Sequence, residues 1–176
     1  SANSNYLHAL NVAGGINDNG SFRNISIKRA GQDISTLDLY DTLLLGNTNI
    51  LERHLRSGDT IFVHPVDFFV PISGGVNNPA IFDLKKGESL SNLINFAGGV
   101  TEFASSKVVV RDIVPIPERL SDDTAQYGNL VFLSNASKVK LNNGASVNLL
   151  PLATNDFSVR IYGRVNLPGT YPAYTT

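Results

Sequence analysis

Apolar residues recur at helical spacing in the stretch SLSNLINFAGG, which begins at Ser89. The apolar positions are Leu90, Leu93, Ile94 and Ala97. They follow the i, i+3, i+4, i+7 pattern of a helix with one buried face. Ser89 is a good N-cap, because its hydroxyl can accept a hydrogen bond from an unpaired backbone N–H. Gly98 favours the left-handed backbone that ends a helix, so we predict a short helix between these two residues.

The stretch NYLHALNVAGG near the start of the chain follows the same pattern. Its apolar positions are Tyr6, Ala9, Leu10 and Ala13. Asn5 is the predicted N-cap and Gly14 the predicted stop. Both Gly-Gly pairs follow a predicted helix, whereas phosphate-binding loops precede one. We therefore interpret these pairs as helix ends.

The segments before and after the helix predicted between Ser89 and Gly98 are typical of strands. VDFFVPIS and AIFDL flank Asn77-Asn78-Pro79, which predicts a hairpin with a turn at these three residues. SKVVVRD, NLVFL and SVNLLPL predict three more strands, with a loop from Ile113 to Gly128. The order β-β-α-β-β-β predicts an α+β fold with small mixed sheets, each crossed by one short helix, because neither element can bury its apolar face alone.

Three phrases occur twice in the same order, displaced by 89, 84 and 86 positions. The pairs are Val70–Leu84 with Val159–Ala173, Glu88–Asp112 with Ser4–Arg29, and Leu55–Pro65 with Leu141–Pro151. A nearly constant displacement indicates tandem units. We expect residues 1–65 to form a first unit without its opening hairpin, 66–152 a complete second unit, and 153–176 the opening hairpin of a third.

The terminal hairpin, RIYGRVNLPGTYPAY, carries a Pro168-Gly169 pair that predicts a tight turn. An isolated two-stranded hairpin is marginal in water. The repeat predicts a chain taken from a longer tandem array, in which the first unit lacks a hairpin of this type. We therefore expect the terminal hairpin to fill that place, either in its own chain or in a neighbour.

The composition narrows the function classes. Charged residues make up 16% of the 176 and the net charge is −1, which gives no general attraction to nucleic acid. Without cysteine the chain has neither disulfides nor thiolate metal sites.

The candidate catalytic and metal-binding residues are few. His8, His54 and His64 lack the spacing of a metal site, so we predict no metal and no cofactor. Glu118, Asp122 and Asp123 form an acidic cluster that could serve glycoside hydrolysis. They lie in the predicted loop, where nothing fixes the separation of the carboxylates, so we interpret them as solvated side chains.

The assembled motifs resemble the SLBB domain, the soluble-ligand-binding β-grasp module of bacterial polysaccharide export proteins. The residues that carry the resemblance are GRVNLPGTY, SLSNLINFAGGV with the Val-rich strand after it, and LDLYDTLLLGNTNILERHLRSGDTIFVHP. The chain departs from the pattern at Gly75, where the sibling hairpin has Arg164, and at Ala80, where it has Gly169.

The resemblance implies tandem β-grasp units in a non-enzymatic periplasmic module, associated with the outer membrane through parts outside this chain. Its implied partners are a polysaccharide, an inner-membrane polysaccharide co-polymerase and further copies of the same protein. Two alternatives stay open. The chain could be part of a polysaccharide-modifying enzyme, with the acidic loop as its active part. It could also bind another small ligand on the same fold, in a compact apolar pocket.

The terminal hairpin also carries the candidate glycan-binding residues. These are Arg160, Tyr162, Arg164, Asn166 and Tyr171. Alternate residues of a strand share a face, so we expect Arg160, Tyr162 and Arg164 to project on one side of the hairpin. Such a face could hold a sugar through aromatic and multidentate polar contacts. The alternative is a solvated or subunit-facing strand, since arginine and aromatic residues also favour protein interfaces.

Overall fold

The computed structural model describes residues 5–48, 54–113, 118, 126–152 and 158–172. These residues contain three short α-helices and ten strands, which form three sheets of three, five and two strands. The fold is therefore mixed α and β, with small sheets and short helices. Among the described residues, no helix has the length and apolar content needed to cross a membrane.

The first sheet is antiparallel, with the strand order β2-β1-β3. Its elements are α1 (Tyr6–Val12), β1 (Gly20–Arg29), β2 (Gln32–Leu37), α2 (Leu39–Leu43) and β3 (Asp59–Pro65). Its buried core consists of Tyr6, Leu10, Ile25, Ile27, Leu37 and Leu39. Because β3 is the last strand of this order, its outer edge has no strand partner among the described residues.

The second sheet has the order β5-β4-β8-β6-β7. Its elements are β4 (Phe69–Gly74), β5 (Ala80–Asp83), α3 (Leu90–Phe96), β6 (Ala104–Ile113), β7 (Gln126–Phe132), a 3₁₀ helix (Leu133–Lys138) and β8 (Ser146–Pro151). β4 and β8 pair in parallel, whereas the other neighbours are antiparallel. The larger core lies between this sheet and α3, and it includes Val70, Ile72, Leu93, Val108 and Leu149.

The helix predicted between Ser89 and Gly98 is confirmed as α3. The Ser89 side chain accepts a hydrogen bond from the backbone N–H of Asn92, and the Asn92 side chain accepts one from the N–H of Ser89, which makes a capping box. All four apolar residues of the pattern are buried, and the helix ends at Phe96, with Ala97 as its C-cap before Gly98, whose φ is +76°. The apolar spacing and the two end residues therefore determine this element.

The first helix is also confirmed, but its buried face is one residue shorter than predicted. Asn5 caps the helix by accepting from the His8 N–H, and Tyr6 and Leu10 are buried. Ala13 is exposed, although the equivalent Ala97 is fully buried. The difference arises because the β4–β5 hairpin covers Ala97, whereas no described residue covers Ala13 in the same way.

The loop predicted from Ile113 to Gly128 is wrong at both ends. β6 runs to Ile113 and β7 begins at Gln126, and these two residues pair with each other. The ladder between the strands continues to the limit of the described residues, so composition alone placed the strand ends too early. Asp122 and Asp123 lie outside the described residues, and Glu118 is exposed.

The third sheet is the terminal hairpin, β9 (Ser158–Ile161) with β10 (Gly169–Pro172). Gly169 pairs with Ile161, so Pro168-Gly169 is not the predicted tight turn and seven residues join the strands. Residues 159–168 are exposed. The expected pairing of this hairpin with the first sheet of its own chain is not present, because among the described residues its strands pair only with each other.

We predict that Leu93→Ala lowers the free energy of unfolding by about 2–5 kcal/mol, because the side chain is fully buried under the second sheet. The matched control is Leu130→Ala, whose side chain is 56% exposed on β7, and its expected cost is below about 1 kcal/mol. Urea unfolding followed by circular dichroism measures both. Equal losses of unfolding free energy in the two variants would show that α3 does not bury its apolar face.

Candidate functional site

A buried arginine joins the first sheet to the second. Arg23 lies on β1, two residues before Ile25, and it shares the inward face of that strand with Ser21 and Ile25. Only 7% of Arg23 is exposed. A charge at such a position requires partners, because an unpaired buried charge is costly.

The guanidinium of Arg23 binds one carboxylate from each side. Its Nε and Nη2 donate to Asp38 at 3.0–3.2 Å, and Nη1 donates to Glu88 Oε2 at 2.6 Å. Asp38 precedes α2 and caps it, and Glu88 precedes the N-cap of α3. Lys85 also donates to Asp38, at 2.6 Å. The result is a charge network that links the loop before α2 to the loop before α3.

Two aromatic rings contact the same guanidinium. Its central carbon lies 5.0 Å from the centroid of Tyr40 and 4.9 Å from that of Phe96. Both distances lie within the range of cation–π attraction. Tyr40 comes from α2 and Phe96 from α3, and their rings meet edge to face at 5.2 Å. The aromatic contacts therefore cross the same boundary as the ion pairs.

Neighbouring residues of α2 enter different cores. Leu39 packs with the first sheet, whereas Tyr40 packs in the core of the second. The Tyr40 hydroxyl accepts a hydrogen bond from the Asp83 N–H at 2.9 Å, and Ser21 Oγ donates to the Asp83 carboxylate at 2.5 Å. One short helix therefore belongs to both halves of the described structure.

The pKa directions favour the charged forms of Arg23 and Asp38 at this boundary, but not that of Asp83. Burial opposes the charge of Arg23, but its hydrogen bonds to Glu88 and Asp38 outweigh burial and raise the pKa of Arg23. Burial would raise the pKa of Asp38, but hydrogen bonds from Arg23 and Lys85 lower it below the ordinary value. Burial raises the pKa of Asp83, against the hydrogen bond from Ser21.

The predicted glycan-binding residues lie on the terminal hairpin and its loop. Arg160, Tyr162, Arg164 and Asn166 are exposed, whereas the side chain of Tyr171 lies outside the described residues. Strand β9 ends at Ile161, and Gly163 has a φ of +106°. The alternation that would place both arginines on one face therefore stops before Arg164.

An apolar groove lies beside the inter-sheet boundary. We call it the Phe22 groove; its volume is about 680 Å³. Its exposed apolar side chains are Phe22, Leu43, Leu44, Phe69 and Ile81. Exposed apolar side chains that are contiguous indicate a ligand or partner site more often than scattered ones do.

A second groove, the Gly14 groove, lies at the end of α1. It has a volume of about 580 Å³, and Ala13–Asn17, Gly20 and Val63–Pro65 are among its lining residues. It opens next to the unpaired edge of β3.

The histidines do not converge. His8 lies on α1, His54 pairs with Asn5 in an isolated bridge, and His64 Nε2 lies 2.8 Å from Ser26 Oγ. Within the described ranges, no group of three histidine or carboxylate side chains could hold a metal ion.

Residues 69–118 match the family model of the SLBB domain. This segment of the chain is therefore similar to an SLBB domain. A comparison with curated proteins found no match to the chain.

The SLBB segment begins with β4 and extends past the end of β6. It therefore contains the hairpin, α3 and the strand that packs beneath α3. It also supplies Asp83, Glu88 and Phe96, the second sheet's side of the Arg23 network. The SLBB domain is found in polysaccharide export proteins, where it is a binding module and not an enzyme.

Sequence reasoning did not identify the Arg23 network. Strand alternation could have placed Arg23 on the inward face, because Ile25 and Ile27 follow at two-residue intervals. It could not have supplied the partners, since Glu88 is 65 positions away in the chain.

We predict that Arg23→Met lowers the free energy of unfolding by about 3–5 kcal/mol, because it leaves the partly buried Glu88 without its cation and Asp38 with Lys85 alone. Combining it with Asp38→Asn and Glu88→Gln should restore part of this loss. Urea unfolding measures both variants.

The matched control is Arg111→Met, since Arg111 is exposed on β6. Its expected effect is below about 0.5 kcal/mol. A loss in Arg23→Met no larger than in this control would contradict a structural role for the network.

Proposed function

We propose that the chain is a non-enzymatic module of a polysaccharide export protein, and that it works in the periplasm through binding and assembly. The observation that carries the proposal is the SLBB match at residues 69–118.

The proposed architecture is a tandem of β-grasp units. In the second sheet, the first and last strands are parallel neighbours at the centre, and α3 connects the second strand to the third. This arrangement supports a β-grasp. In the first sheet, α1 precedes strands in the order β2-β1-β3, just as α3 precedes β7-β6-β8. We therefore propose the units 1–65, 66–152 and 153–176.

The proposed glycan contact is the exposed surface of the terminal hairpin. Arg160 and Arg164 add positive charge there, and the side chain of Tyr162 is 69% exposed. Guanidinium groups suit acidic sugars, because they bind carboxylates in a bidentate geometry. We propose that an acidic polysaccharide binds this surface. The inner-membrane co-polymerase and further copies of the chain are the proposed protein partners.

A second candidate function is the binding of a small apolar ligand in the Phe22 groove. The observation that favours it is the cluster of exposed apolar side chains lining about 680 Å³. A groove of this size suits a drug-sized ligand or an acyl chain. This function uses the boundary between the sheets and not the terminal hairpin, so the two candidates are separable.

We predict that oligogalacturonate, an acidic probe, shifts the backbone amide resonances of residues 160–166 in two-dimensional NMR. Dextran oligomers of equal length, which are neutral, should shift them less. The double variant Arg160→Ala/Arg164→Ala should weaken acidic binding about tenfold or more, and added salt should act in the same direction.

Arg111→Ala is the matched control, because it removes an exposed arginine from β6 instead. Anilinonaphthalene sulfonate tests the second candidate in the same spectra. Shifts confined to Phe22, Leu43 and Ile81, with no response of the hairpin to either sugar, would replace the glycan proposal with the apolar one.

A further inference from the structure

We propose that the Gly14 groove receives the β9–β10 hairpin of a second copy of this chain. The inference rests on the proposed repetition of the unit, but not on its polysaccharide function. It assigns one partner to two surfaces, the open groove beside α1 and the exposed apolar side of the terminal hairpin.

The second sheet already shows, within one chain, a hairpin packed against the end of a helix in the way that we propose between chains. The β4–β5 hairpin lies against the end of α3, where Asn77 N–H donates to the Gly99 carbonyl at 3.1 Å. The Asn77 side-chain amide donates to the Gly98 carbonyl at 2.7 Å, and Asn78 N–H donates to the Ala97 carbonyl at 2.9 Å. The hairpin therefore satisfies carbonyls that the end of a helix leaves unpaired.

In the second sheet, the acceptor site is the place beside the helix end that receives the hairpin. The first sheet has a counterpart of this site, with the same strand pairing. The matched strand pairs are Gly20–Pro65 with Ala104–Pro151, and Ile25–Val63 with Val108–Leu149. The helix N-caps also match, since Asn5 bridges to His54 as Ser89 bridges to Lys140. These correspondences come from strand and bridge pairing, so they do not depend on similarity between the amino-acid sequences.

The acceptor is open in the first sheet. An added Cβ at Gly98 would lie 2.6 Å from the side-chain nitrogen of Asn78, whereas one at Gly14 would meet nothing within 4 Å. No described residue donates a hydrogen bond to the carbonyl of Gly14. The outer edge of β3 is also unpaired among the described residues, whereas its counterpart β8 holds β4 there. An unpaired edge of this kind accepts an added strand.

The donor hairpin has the matching sequence and an uncovered apolar side. GRVNLP at 163–168 corresponds to GGVNNP at 74–79. Val70, Ile72 and Val76 are at most 3% exposed in the docked hairpin. Their counterparts in the terminal hairpin, Val159, Ile161 and Val165, are 40–50% exposed. The residues that are buried in one copy of the motif therefore face solvent in the other.

The docked hairpin fixes the register of the proposed contact. In the second sheet, Ile72 pairs with Val147 and Gly74 with Leu149 in a parallel ladder. The corresponding pairs place Ile161 opposite Ile61 and Gly163 opposite Val63. In the same register Asn166 takes the place of Asn77, so its amide groups donate to the carbonyls of Gly14 and Gly15.

The largest sequence difference between the two hairpins is Gly75 in one and Arg164 in the other. It is matched by a difference between the residues that line the two helix-end sites. A Cβ at Gly75 would lie 2.6 Å from the Cβ of Ala104. The terminal hairpin has Arg164 at this place, and the first sheet has Gly20 where the second has Ala104, which removes that Cβ. The remaining contact, 2.9 Å to the Cα in the second sheet, requires a small shift of the strand.

Charge favours the same register. The Gly75 carbonyl accepts from the Thr101 N–H at 3.0 Å, and Glu102 follows. The corresponding residues are Arg164, Asn17 and Asp18. Docking therefore brings an exposed arginine next to an exposed aspartate.

The second copy is the occupant that these observations favour. The hairpin of the same chain pairs only with itself among the described residues and leaves the groove open. Among the described residues, each copy offers one exposed hairpin and one open groove of this kind, so the contact joins different surfaces of two chains. Such a contact builds a ring or an open row, or closes as an exchanged pair.

The first test is association of the 176-residue chain, measured by sedimentation velocity over a range of concentrations. Gly14→Asn blocks the groove, because Asn tolerates a positive φ and its side chain would occupy the place of the hairpin loop. Val165→Asp blocks the hairpin. The matched controls are Gly31→Asn, which also has a positive φ and open space, and Leu130→Asp on β7.

We predict that the wild type and both controls associate, and that each blocking variant associates at least tenfold more weakly. An equal mixture of the two blocking variants should form a species of two chains and no larger one, because only one intact hairpin and one intact groove remain. A wild type with the mass of one chain at every concentration would overturn the proposal. So would a mixture that fails to form the pair.

Engineered cysteines test the register itself, because the chain has no cysteine of its own. Ser73 and Asn148 pair across the parallel ladder and their side chains lie 3.4 Å apart. The corresponding variants are Tyr162→Cys and Phe62→Cys, made in separate chains and mixed. They should form a disulfide between chains, because adjacent strands bring Cα atoms within disulfide range.

The control replaces Phe62→Cys with Thr60→Cys, two residues away on the same strand. Cross-linking at least tenfold faster through position 62 supports the register. Equal rates, or no cross-link at either position, would overturn it. The NMR titration measures glycan binding separately.

Discussion

The interaction on which the described structure depends is the buried guanidinium of Arg23. A buried ion pair adds little net stability compared with apolar packing, but removing one partner is costly. Its effect is therefore on geometry: the carboxylates of Asp38 and Glu88 and the rings of Tyr40 and Phe96 can all contact Arg23 only in one arrangement of the two sheets. The cost of an unpaired charge then penalises every other arrangement.

This constraint positions the surfaces that are open to partners. Because α2 packs into both cores, the Phe22 groove forms where the first sheet meets β4 and β5. The Gly14 groove lies at the end of α1, and the terminal hairpin follows the last strand of the second sheet. Acceptor and donor are thus carried by different sheets. The Arg23 network fixes the Gly14 groove relative to the second sheet, whereas the terminal hairpin is a separate two-stranded sheet.

Local chemistry predicted the elements better than it predicted their contacts. The apolar positions from Leu90 to Ala97, together with Ser89 and Gly98 at the two ends, determined α3, because spacing and capping act within a few residues. The same pattern overestimated the burial of Ala13, since burial depends on a hairpin from elsewhere in the chain. The end of β9 before Gly163 removed the alternation that had grouped Arg160 with Arg164. Strand alternation could have identified Arg23 as an inward charge, but its partners are set by the tertiary fold and not by local sequence.

The most direct test of the central claim is the relative orientation of the two sheets in solution. Residual dipolar couplings of backbone amides report that orientation without any substitution. The account predicts that one alignment tensor fits the couplings of residues 20–37 and of residues 69–113 together. Two tensors that differ in magnitude or direction would show that the sheets reorient independently, and would contradict the role assigned to Arg23.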